Sequence, residues 1–116
     1  MENEALARMR EDPKGVALES LKGLATDIEA DLGAPDTVRD KWIDSFNNKI
    51  SMATTIVSIL AMSGHAKGDD INIENKSLMD LGFAISQRAS AGGDDATVEE
   101  KKTLLAHVNK LIELIG

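Results

Sequence analysis

Apolar residues in this chain recur at intervals of three and four, and each run of them is bounded by residues that start or stop helices. That period suits a helix with one buried face and does not suit a strand, so it constrains the fold more than any other feature. Asp12-Pro13 reads as a capping residue followed by proline at the first helical position. Ala17, Leu21, Leu24, Ile28 and Leu32 then fall on one face. Gly33 offers a residue able to turn left-handed, and Pro35 blocks continuation. The spacing predicts a helix over 13–32. Gly23 inside it costs about 1 kcal/mol relative to alanine, which points to a close helix crossing at that position.

A second helix is expected from Asp36 or Thr37, where Thr37-x-x-Asp40 resembles a capping box, to about Met62, ahead of Gly64. Val38, Trp42, Phe46, Ile50, Ala53, Val57 and Leu60 mark its inner face, with Trp42 anchoring the packing. The fifteen residues from Ile50 to Gly64 carry no charge. Met52, Ile56 and Ile59 add a second apolar stripe. A helix apolar nearly all round is buried nearly all round. This one is therefore the centre of the bundle or part of an oligomer contact.

Residues 63–76 read as a loop, with Ile71-Asn72-Ile73 as a brief extended piece. Ser77-x-x-Asp80 then opens a third helix, with Leu78, Leu81, Ile85 and Ala89 as its core face. Gly82, Ala84 and Ala91 keep that helix slim. Ala91 to Asp95 form a turn. Thr97-Val98-Glu99-Glu100 is a capping box for a last helix. Its core face is Leu105, Val108, Ile112 and Ile115, widened by Leu104 and Leu111. Ahead of Asp12, Ala5, Leu6 and Met9 allow one or two amphipathic turns over Asn3–Arg10.

These elements predict an all-α fold, a four-to-five-helix bundle over residues 12–116 as a single domain. Residues 1–11 are a separate N-terminal segment, a short helix or a mobile arm. Ser20-Leu21, Leu24 and Ile28 match Ser77-Leu78, Leu81 and Ile85 at a constant offset. The match suggests two helical hairpins packed antiparallel. A length of 116 residues suits one domain with its own core.

Composition removes several function classes. There is no cysteine, so thiolate chemistry and disulfides are excluded, with a lean toward a cytoplasmic setting. The start lacks the basic and apolar regions of a secretory signal. The uncharged run is too short for a membrane span. The net charge is −7, and the longest basic cluster is Lys101-Lys102. Nucleic-acid binding by a basic face is therefore disfavoured.

The chemistry-bearing residues do not assemble into a motif. His65, beside Asp69 and Asp70, lacks the three or four convergent ligands a metal needs. His107 borders a helix face. Gly64 to Gly68 fails the spacing of a phosphate-binding loop, and no Glu-x-x-His occurs for a di-iron site. No catalytic residue, metal or cofactor is predicted.

Two features remain. Met52, Thr55, Ile56, Ile59 and Met62 form a candidate interface for a second copy or another protein. Asn47, Ser51, Thr54 and Ser58 recur at helical spacing as a polar stripe, which is a candidate lining for a small polar ligand or a helix–helix contact. The expected function is a non-enzymatic protein–protein interaction or regulatory module that self-associates through its central helix. The alternative is a small-ligand-binding or sequestering protein. A further alternative is a small acidic inhibitor of a partner protein, of the kind mobile elements encode.

Overall fold

The computed structural model describes residues 12–33, 42–62 and 66–116. The N-terminal segment 1–11, the Thr37–Asp40 capping box, Val38 and His65 lie outside the described residues, as does the side chain of Trp42. Four helices are described: α1 (Pro13–Gly33), α2 (Trp42–Met62), α3 (Gly68–Ser90) and α4 (Val98–Ile115). Each packs on two neighbours, and α1 closes the ring against α4. Consecutive helices run antiparallel: Ile50 of α2 meets Gly82 of α3, while Ser58 meets Asn75. Arg88 of α3 meets Glu100 of α4, while Glu74 meets His107. The result is an all-α bundle of two successive hairpins.

α1 begins as its sequence dictates. The Asp12 carboxylate accepts from the Gly15 N–H at 3.0 Å, satisfying one of the donors a helix start leaves over. Ala17, Leu21, Leu24 and Ile28 are buried. Gly23, however, is exposed, and a Cβ built there meets nothing within 4 Å. Among the described residues, no helix crosses closely at that point. The close crossing is at Gly82, whose Cβ would lie 3.2 Å from Cγ2 of Ile50.

α3 corrects the expected 63–76 loop. The helix starts at Gly68, and Ile71-Asn72-Ile73 is helical, not extended. Asp69 and Asp70 sit in its first turn, where negative charge offsets the helix dipole. Ser77 is an interior residue whose hydroxyl donates to the Ile73 carbonyl, so it caps nothing. The buried stripe is Ile71, Asn75, Leu78, Gly82, Ile85 and Ala89, an unbroken alternation of four and three. α3 ends in a Schellman motif: Gly93 N–H donates to Arg88 O and Gly92 N–H to Ala89 O, with Gly92 left-handed at φ 88°.

α4 opens with the expected capping box: Glu100 N–H donates to Thr97 Oγ1, and Thr97 N–H donates to Glu100 Oε1. Its buried line is Leu104, Val108, Leu111 and Ile115, so the core stripe is rotated from the expected one. Leu105 and Ile112 are only partly buried. α4 packs on both α1 and α3, and the buried arc centres on the Leu104–Leu111 row, with Leu105 and Ile112 at its margin.

The α3–α4 turn is clamped by one side chain. Arg88 donates to Glu100 twice (2.6 and 2.9 Å) and to the carbonyls of Asp94 and Asp95. The guanidinium hydrogen bonds, helped by the Thr97 backbone, pull the Glu100 carboxyl from 4.5 down to about 2. Asp95 Oδ1 in the same turn accepts from the Ile43 N–H in the first turn of α2, a cap delivered from 52 residues away. At the α1–α4 seam, Lys101 donates to Asp31 at 2.7 Å with both side chains largely covered.

Candidate interaction surface

α2 presents two seams. Ile43, Phe46, Ile50, Ala53, Val57 and Leu60 are buried and face the core. Met52, Thr55, Ile59 and Met62 follow Ile50, Ala53, Val57 and Leu60 by two residues each, a rotation of about 200°. They therefore lie on the opposite side. The described residues leave them uncovered: Met52 is 66% exposed, Ile59 45% and Met62 81%. Thr55 is exposed too. Its hydroxyl donates to the Ser51 carbonyl at 2.8 Å, which satisfies the polar atom within its own helix. Ile56 differs from its neighbours, being half-buried against the core. The helix is thus not buried nearly all round; one face is inner and one outer.

The polar stripe lies on the side of α2 that meets α3. Thr54 is buried, Ser58 half-buried, and Asn47 and Ser51 exposed. Asn75 of α3, buried at 2% exposure, donates from Nδ2 to the Thr54 carbonyl and to Ser58 Oγ, both at 3.0 Å. Two of the four stripe residues therefore meet α3 through this amide. Asn75 was not legible as a core residue once residues 63–76 read as a loop. The signal that finds it is its place in the four–three alternation, between Ile71 and Leu78.

Asn47, Ser51 and Thr54 also border a shallow depression of about 160 Å³, completed by Ile50, Met79, Gly82 and Phe83. Small-molecule sites occupy about 300–1,000 Å³ and enclose most of their ligand. On the other flank of α2, Ser20, Gly23, Leu24, Met52 and Ala53 line a wider, open hollow. Its edge is charged, with Lys49 bonded to Asp27 at 3.0 Å and lying over the Phe46 ring. Met79 (46% exposed) and Phe83 (64%) continue the outer α2 seam across the α2–α3 groove. Five of the seven large apolar side chains exposed among the described residues thus belong to this one surface.

Elsewhere, His107 Nδ1 pairs with Glu74 Oε1 at 2.6 Å across α3 and α4. Among the described residues, no three acidic or histidine side chains converge as metal ligands, and no helix is long and apolar enough to cross a membrane. Comparison with protein-family models, curated proteins and solved structures finds no match.

Proposed function

We propose that this chain is a non-enzymatic interaction module that self-associates through the outer face of α2. The supporting observation is the seam of Met52, Thr55, Ile59 and Met62, solvent-facing and free of charge, on a chain of net charge −7. A contact between identical copies brings residues near its symmetry axis against their own counterparts. A charged face is repelled in that arrangement, whereas a chargeless apolar face gains by burial. Met79 and Phe83 enlarge the apolar area beside the seam. Methionine suits such a surface because it adapts its shape to the partner.

Sedimentation velocity from low to several hundred micromolar tests the reading. The expected result is a concentration-dependent shift from monomer to dimer. Met52→Glu and Ile59→Glu are expected to give monomers, with a change in folding stability within about 0.5 kcal/mol because both side chains are exposed. Ile56→Glu, half-buried, is expected to lower the melting temperature as well. A strictly monomeric wild-type chain overturns the proposal.

A further inference from the structure

One buried polar atom is left over between α2 and α3. Asn75 is 2% exposed, and its Nδ2 donates to the Thr54 carbonyl and to Ser58 Oγ, which accounts for the two protons it carries. Its Oδ1 is buried and accepts from no described residue. A carbonyl oxygen so placed calls for a donor.

The amide stands behind the wall of a hollow. Thr54 and Met79 both touch it, and both border the depression of about 160 Å³ on the α2–α3 face. Thr54 is buried and belongs to the core side of that wall. Met79 is its movable part: unbranched, 46% exposed, with Sδ 4.0 Å from Asn75 Nδ2. Turning this side chain outward joins the hollow to the amide and adds the volume of the side chain to it.

We infer that this hollow is a binding site for a small, uncharged, planar molecule that brings an N–H donor to Asn75 Oδ1. The class follows from the walls. The seven residues that border the hollow are uncharged, which favours a neutral ligand over a carboxylate or phosphate. Phe83, 64% exposed, supplies an aromatic ring for a flat ligand to pack on, and Met79 a second apolar contact. Asn47 and Ser51, both exposed, add an amide and a hydroxyl for the polar groups on the ligand's other edge. The space holds about five waters at roughly 30 Å³ each, which suits a single ring. An aromatic or cyclic amide combines these properties. Met52, Thr55, Ile59 and Met62 do not border the hollow, so the site does not depend on self-association.

The test uses benzamide, with N,N-dimethylbenzamide as the counterpart that lacks an N–H and benzoate as the anionic one. The NMR signals of the Met79 methyl group and the Phe83 ring report binding. Benzamide is expected to shift both saturably, with a Kd on the order of 1 mM for so small a molecule. N,N-Dimethylbenzamide and benzoate are each expected to bind about tenfold more weakly or worse, because neither satisfies the buried acceptor. Met79→Ala is expected to tighten benzamide binding by removing the movable wall. Asn75→Leu, with its folding checked by its thermal transition, is expected to bind benzamide no better than N,N-dimethylbenzamide. Equal binding of the two amides by the wild-type chain, or equal binding of benzamide by the wild-type and Asn75→Leu chains, overturns Asn75 as the recognising group. Benzamide shifts that fail to saturate in both the wild-type chain and Met79→Ala overturn the site.

Discussion

Asn75 uses only half of its amide. Its Nδ2 reaches Thr54 O and Ser58 Oγ, while its buried Oδ1 finds no partner among the described residues. An unmet buried acceptor costs about 1–3 kcal/mol, which offsets much of what the two donated bonds contribute. Asn75→Leu is therefore expected to change the unfolding free energy by no more than about 1 kcal/mol. Asn75→Asp replaces the donor with a buried charge beside a carbonyl and is expected to cost more than about 3 kcal/mol at neutral pH. Urea denaturation of the two variants checks both values. The glycines give a second contrast at this scale. Gly23→Ala meets open space on a helix surface and is expected to stabilise the fold by about 0.5–1 kcal/mol. Gly82→Ala pushes against Ile50 and is expected to lose that gain.

Among the elements, α4 is held at its start by a network that titrates. Glu100 is bonded to Arg88 and to Thr97, and its folded-state value near 2 lies below the ordinary 4.5. As pH falls from about 4.5 toward 2, the unfolded chain takes up a proton at Glu100 that the folded chain refuses. Stability contributed by this carboxylate is therefore complete above about pH 5 and is lost through that window. Glu100→Gln is expected to lower stability by about 1–3 kcal/mol at pH 7, and most of that gap from wild type is expected to be gone by about pH 2. Thermal midpoints at stepped pH measure it. This network also marks how far the sequence could be read. Thr97 and Glu100 are three residues apart, so their reciprocal cap was visible as a local pattern. Arg88 and Asp95 act across a turn and between hairpins, and such partners become neighbours only on folding. The start of α3 was hidden because Asn75 interrupts the apolar stripe and Gly68 and the paired aspartates resemble a turn. The inner stripe of α2 was legible from its period, and Phe46, Ile50, Ala53, Val57 and Leu60 are buried; the outer seam was legible as an excess of uncharged residues, but periodicity alone could not say whether the rest of the bundle covers it.

At the scale of the whole molecule, the chain has a net charge of −7. Two such molecules repel at long range before any side chains touch, and in the self-association proposed above the outer α2 seam is the chargeless face on which they meet. Salt then acts in a defined direction. The repulsion between whole molecules is screened as the Debye length falls from about 20 Å near 20 mM salt to about 4 Å near 500 mM, while apolar burial is not weakened. Self-association through the seam is therefore expected to tighten severalfold over that range. An acidic molecule acting on a basic partner site would behave in the opposite sense, because salt screens the attraction on which it depends. Sedimentation equilibrium of the chain alone at stepped salt provides the measurement. A dimer that weakens as salt is added would mean that ion pairs hold the copies together, and the chargeless seam would not be the contact.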